Sequence, residues 1–317
     1  MTKTIPINAA LWTLAGIALA TPGQAWAQAS PDIQDAITAG TQIEDALREQ
    51  ERAQIQPGAA GDEEIDGEAG VYVLAVNDIF YLGASVGGGW SENPTRTIDN
   101  PGDAVFASAA ATLGIQTQLG GEFDAGLSVS ASGVEYDKSF APSSRTVTFA
   151  GNLGHAIEGT PFYVGITGFG GWTYDNAFNN ATSFYGGNAA LSARFRFGQR
   201  TQLRTTLAGG RQMGDITENN SWNANLSFDL SHAVSPNLFV GTSGRVSRVW
   251  FDDFYEDVTF VARNDWQYGG NLNATWAPAS WLSLTGSAGY EKRDSGFFLS
   301  SYDGFEASLI ISARTRF

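Results

Sequence analysis

From about residue 79 to its last residue the chain is written in a period of two. Residues 305–317 read FEASLIISARTRF. One parity carries Phe305, Ala307, Leu309, Ile311, Ala313 and Phe317. The other carries Glu306, Ser308, Ser312, Arg314 and Arg316, interrupted by Ile310. Strict alternation with one apolar face predicts a half-buried strand. The polar face here holds arginines, which a soluble core rejects unless they are paired. A wall between lipid and a wet interior accepts both faces.

The same pattern predicts twelve strands, at 79–90, 104–119, 123–136, 145–157, 162–174, 183–197, 201–214, 222–233, 238–251, 265–276, 282–295 and 305–317. The connections at 120–122, 158–161, 198–200, 234–237 and 277–281 are short; those at 91–103, 137–144, 175–182, 215–221, 252–264 and 296–304 are longer. Short periplasmic turns alternating with longer outer loops are the signature of a transmembrane barrel, and an even strand number puts both barrel ends on one side. The expected fold is therefore all-β: a transmembrane, antiparallel, up-and-down barrel. A soluble sandwich fails because these strands would leave large apolar faces in water. Closure also removes exposed edges. Aromatics concentrate near strand ends, as in Phe162, Trp172 and Tyr174, or Trp266, Tyr268 and Trp276, which fits interfacial girdles.

The first 70 residues follow another grammar. Lys3 precedes an apolar run over 9–20, then Pro22, Gly23 and the small-x-small pattern Ala25-Trp26-Ala27. That is a secretory signal peptide, 1–29 at its longest, with cleavage after Ala27 or Ala29. The run is too short for about 30 Å of hydrocarbon. Residues 30–70 form a periplasmic acidic extension. Its first part carries Ile33, Ile37, Ile43 and Leu47 with acids early and Arg48 and Arg52 late. That charge order suits a helix dipole. A glycine-rich acidic linker follows at 58–70. Eleven acids and two bases give 30–70 a local charge of −9. Residues 71–317 are the barrel.

Composition narrows the chemistry. A net charge of −15 argues against nucleic acid as a partner. With no cysteine there is no disulfide, no thiolate metal site and no cysteine-linked lipid. No phosphate loop, zinc spacing or EF-hand occurs, so neither cofactor nor metal is expected. The two histidines, His155 and His232, sit near predicted turns and read as interfacial residues. Asp252, Asp253, Glu256 and Asp257 form an acidic loop, read first as solvated and second as a weak divalent-cation or lipopolysaccharide-bridging surface.

The inward parity carries the informative residues. Arg194, Arg196, Arg204, Arg245, Arg314 and Arg316 point to the lumen, against the inward acids Asp124, Asp229, Asp265, Glu291 and Glu306. Two readings weigh evenly. One is a cationic, hydrogen-bonding passage for anionic or sugar-like solutes. The other is a salt-bridge network that stiffens a narrow barrel.

A C-terminal phenylalanine closing an amphipathic strand resembles the signal that outer-membrane barrels present to their assembly machinery. The last third resembles the β-barrel porins encoded with exopolysaccharide genes. The residues that carry this likeness are Arg263-Asn264-Asp265, Trp281-Leu282-Ser283-Leu284, Tyr290, Arg293-Asp294-Ser295 and Phe317, with a fainter echo in SVGGGW and Asn93-Pro94. The resemblance implies a pore-like protein of the outer membrane of a Gram-negative bacterium, with polysaccharide traffic as its setting. The expected function is a passive channel or export component for polar saccharides. The alternatives are a non-conducting docking barrel, whose segment 31–56 binds a periplasmic partner or plugs the lumen, and, less favoured, an autotransporter translocator. Outer-membrane lipid, lipopolysaccharide and the assembly machinery are the other expected partners.

Deleting Phe317 is expected to lower the heat-modifiable, folded fraction recovered from the outer membrane. Unchanged assembly would remove this residue's role as the signal.

Overall fold

The computed structural model describes residues 80–316, apart from 97, 99–101, 120–122, 142, 175–180, 199, 217–219, 253–262, 280 and 297–299 in the connections. The segment expected as a signal peptide, 1–29, the segment 31–56, the expected linker at 58–70, residue 79, most of the acidic loop and Phe317 lie outside the described residues.

Twelve strands follow in order: β1 (Phe80–Ser91), β2 (Ala104–Leu119), β3 (Phe123–Tyr136), β4 (Ser144–Ala156), β5 (Phe162–Tyr174), β6 (Ala181–Phe197), β7 (Thr201–Gly214), β8 (Ser221–Ser235), β9 (Leu238–Phe251), β10 (Asn264–Ala279), β11 (Leu282–Ser295) and β12 (Tyr302–Arg316). Each pairs antiparallel with its chain neighbours, and β1 pairs with β12 to close the barrel. Strand number, order and alternation match the sequence expectation, and boundaries differ by at most three residues. The strands that ran longer than expected, such as β10 and β12, extend by ladder bonds from a neighbour, which a single strand's hydropathy does not report. Register shifts fall between Trp276 and Ala279 and between Ala233 and Ser235, both beside short turns.

The alternation separates two faces. Outward stand Val86, Leu113, Leu127, Ile166, Leu207, Leu226, Leu272 and Leu309, with Leu127 61% and Leu272 66% exposed. A continuous belt of this kind is covered only by lipid. Rings flank the belt. Trp90, Trp172, Trp222, Trp250, Trp266 and Tyr268 lie toward the long-loop rim, while Phe80, Phe123, Phe162, Phe195, Phe197 and Trp276 lie toward the short-turn rim. His155 stacks on Phe123 at 4.9 Å and His232 Nδ1 lies 2.8 Å from Thr201 Oγ1. Both histidines face outward at the short-turn rim, in the interfacial position expected of them.

The long-loop rim repeats one device three times. An acid directly after a strand accepts the N–H of the neighbouring strand: Glu92 from Phe305 at 3.0 Å, Asp137 from Val105 at 2.9 Å and Asp215 from Ser183 at 2.8 Å. These bonds satisfy backbone donors where the ladder ends. The Val105 and Ser183 amides hold the Asp137 and Asp215 carboxyls below the usual carboxylate range.

The absence of cysteine makes sidedness directly testable. Lys138→Cys, in a long connection, should react with an impermeant thiol reagent on intact cells. Glu158→Cys, in a short turn, should react only after the outer membrane is opened. The reverse pattern would invert the topology.

Candidate functional site

The inward face is divided. On β9–β12, near the long-loop rim, charged groups pack into a network. Asp265 is the first inward residue of β10 and is fully buried. Arg263 clamps it with Nη2 at 2.6 Å and Nε at 3.0 Å from Oδ2. Ser295, opposite in register on β11, donates to Oδ1 at 2.5 Å, and Arg293 Nε stands 3.8 Å from Oδ2. Rings cover both guanidiniums: Phe251 lies 4.2 Å from Arg263 and Tyr302 lies 4.8 Å from Arg293. The Gln267 amide, turned with its oxygen toward Arg293, accepts from Nη2 at 3.0 Å and donates to Ser247 Oγ at 3.3 Å.

A second knot centres on Glu291. It accepts from Tyr302 Oη at 2.6 Å and pairs with Arg245 Nη2 at 3.2 Å. Arg245 stands on β9 and Glu291 on β11, with Gly269 of β10 between them in register. A Cβ at Gly269 would sit 3.2 Å from Arg245 Nε. The glycine is what lets the guanidinium cross a whole strand. From the β1–β2 connection Arg96 joins the knot, 3.9 Å from Glu291 and 4.0 Å from Glu306. Arg96 has φ 51°, a left-handed conformation uncommon for a residue with a Cβ. Asn93, bonded to the Asp303 carbonyl at 3.2 Å and packed against Gly304, anchors the turn that sets it.

The opposite wall, β2–β5, is small and, apart from Asp124 near the short-turn rim, uncharged. Its inward residues include Ser108, Thr112, Ser128, Ser130, Ser132, Thr146, Thr148 and Thr167, and hydroxyls pair across strands, as in Thr146 with Thr173 at 3.3 Å. Inward rings are laid flat. Tyr81 lies over Gly114, Phe106 over Gly89, Phe184 over Gly171 and Phe169 over Gly186, each ring directly opposite its glycine in register. A Cβ at those glycines would collide with the ring, so the rings line the wall instead of filling the lumen.

Near the short-turn rim, Arg194 of β6 faces Arg204 of β7, and Arg204 faces Asp229 of β8. Arg196 is the next inward residue on β6. Arg314 lies over the Tyr81 ring at 4.3 Å. Arg316 is paired to Tyr81 in the ladder. Of the six arginines expected in the lumen, Arg194, Arg196, Arg204, Arg245 and Arg314 lie on inward parities, while Arg316 is placed by its ladder pairing alone, and they divide. Arg194, Arg196, Arg204, Arg314 and Arg316 belong to the short-turn half, and Arg245 belongs to the packed network. The sequence reading singled out neither Arg96, Arg263 and Arg293 as lumen residues nor Tyr302. Arg263 and Arg293 were visible only as residues carrying a resemblance, and the pairing of their segments around Asp265 is a product of register. Among the described residues no group of acids and histidines forms a metal site.

No protein-family model matches the chain, and no curated protein matches it in sequence. Solved structures do match in fold. An outer membrane channel from Pseudomonas putida F1 superposes with TM-score 0.50 at 12% identity, over 79% of this chain and 100% of that one. The β domain of the Bordetella autotransporter BrkA matches at TM-score 0.43 and 11% identity, over 74% of this chain and 99% of that one. An anion-selective porin from Comamonas acidovorans matches at TM-score 0.39 and 10% identity, over 74% and 98% of the two chains. The fold is that of an outer-membrane β-barrel. The lipid-facing belt and its two girdles place the protein in the outer membrane.

Asp265→Ala is expected to destabilise the folded barrel by about 3–5 kcal/mol, because two buried guanidiniums lose their shared acid. The measurement is the urea midpoint in micelles. Adding Arg263→Met and Arg293→Leu to the same chain should recover most of the loss. A midpoint unchanged by Asp265→Ala would mean the network bears no stability.

Proposed function

We propose that the protein is a passive channel for small, hydroxyl-rich solutes, saccharides first, with a preference for anions, and that it is not an enzyme. The observation that carries this is the thin β2–β5 wall. Side chains just fill a barrel of about eight strands, and diameter grows with strand number. Twelve strands make a barrel about half as wide again. A wall of serine, threonine, alanine and glycine, with its rings folded onto glycines, leaves that extra width to solvent. Hydroxyls along it offer both donors and acceptors, which suits a sugar better than a bare ion. The packed β9–β12 wall faces it and supplies fixed charge. The cations Arg194, Arg196 and Arg204 then sit at the short-turn end of the path, where they raise the local anion concentration over roughly 8 Å at physiological salt. Both histidines face lipid headgroups, away from the lumen. The likeness of 263–265 and 293–295 to porins encoded with exopolysaccharide genes supports saccharides as the first solutes to try.

Planar-bilayer conductance tests this reading. The wild type should conduct, with a reversal potential on the anion side in a salt gradient. Replacing Arg194, Arg196 and Arg204 together by serine should move it toward cations, less so as ionic strength rises. A chain that conducts only after residues 30–70 are removed would favour the plugged, docking barrel. No conductance in either form would overturn the channel.

A further inference from the structure

The outward face carries cations as well as the lumen. Arg248 of β9 stands on the lipid-facing parity, between Val246 and Trp250. Its guanidinium carbon lies 4.9 Å from the Trp266 ring centre and 5.4 Å from that of Trp250. Among the described residues no carboxylate pairs with it, and its Nε is covered and lacks an acceptor. Two strands away, Arg211 of β7 lies 4.9 Å over Trp222 and is held by Asp252 at 2.5 Å. Gly209, Ala224 and Arg248 follow one another in register across β7, β8 and β9. The row level with Arg248 therefore has no bulk, and a Cβ at Gly209 would meet only the Asn223 carbonyl, at 3.4 Å, while Trp222 stands one row toward the rim, between Arg211 and Trp250. Toward the midplane the next outward row is Leu207, Leu226 and Val246.

We propose that this face of β7–β10 binds the phosphate of a phosphorylated outer-leaflet glycolipid. Its position at the level of the long-loop aromatic girdle puts Arg248 at headgroup depth, given that the long connections face the cell exterior. An unpaired guanidinium there costs free energy unless an anion meets it. Trp250 and Trp266 fix the plane of the guanidinium, so that its terminal amines present a fork suited to phosphate oxygens. Arg211, matched to Asp252 and so without net charge, only bounds the far edge of the shallow floor. Acyl chains continue down over Leu207, Leu226 and Val246. A snorkelling arginine that only anchors the barrel would not distinguish a phosphorylated lipid from a neutral one. A bound phosphate does.

The full barrel, in micelles doped with lipid A, with dephosphorylated lipid A or with phosphatidylcholine, is examined by native mass spectrometry for retained lipid. The wild type should hold lipid A about five- to tenfold better than its dephosphorylated form, the worth of one charge-assisted contact near a membrane surface. Arg248→Gln should abolish that preference, while Lys138→Gln, an equal loss of charge in an exposed connection, should keep it. Equal retention of the two lipids by the wild type overturns the proposal, as does an intact preference in the Arg248→Gln protein. Should that variant not refold, the wild-type preference must still fall as salt rises, and a salt-independent preference overturns it. The assay is blind to conductance, so its outcome is separate from that of the channel reading.

Discussion

A hydrocarbon layer offers no partner to a peptide N–H or C=O, and every other feature of this molecule follows from that lack. Twelve amphipathic strands could pair into an open sheet, but such a sheet would leave two edges unsatisfied in lipid. The ladder between β1 and β12, running from Tyr81 with Arg316 to Ser91 with Glu306, removes both. Closure then forces the period of two into an inside and an outside. It also explains the carboxylates at Glu92, Asp137 and Asp215, which take over as acceptors where the ladder stops.

Within the closed sheet, side-chain size decides what the interior becomes. Where small residues face inward, and where rings find a glycine across the ladder, the wall stays thin. Where arginine and acid alternate over β9–β12, they cross strands and meet, because Gly269 gives Arg245 a path and Asp265 gives Arg263 and Arg293 a common acceptor. The result is an interior with one densely charged side and one mainly hydroxylated side, where Asp124 is the inward acid. Stiffness matters for a barrel whose rim carries long connections: Arg96 ties the first of them to Glu291 and Glu306.

The outside is equally uneven. Most lipid-facing positions are aliphatic, yet the arc from β7 to β11 near the long-loop rim mixes Arg211, Arg248 and Lys292 with tryptophan and tyrosine. Of these, Arg211 and Lys292 have carboxylates beside them. Among the described residues Arg248 has rings instead, and this difference in neighbours is what separates it from the two matched interfacial charges.

Much was legible in the chain itself. Strand number, strand order, which parity of 305–317 faces lipid and the inward direction of Arg194, Arg204 and Arg314 all follow from alternation, because a strand's two faces are set by covalent geometry alone. Alternation says nothing about which residue on a neighbouring strand lies opposite, since that depends on register and shear. Hence Arg263, Arg293 and Ser295 could not be assigned to Asp265, nor Phe106 to Gly89, nor Trp266 to Arg248, before the strands were paired. The pattern determined the wall and its two faces. Only the closed tertiary structure decided which charges neutralise one another, where the wall stays thin, and which arginine faces the membrane with no acid beside it among the described residues.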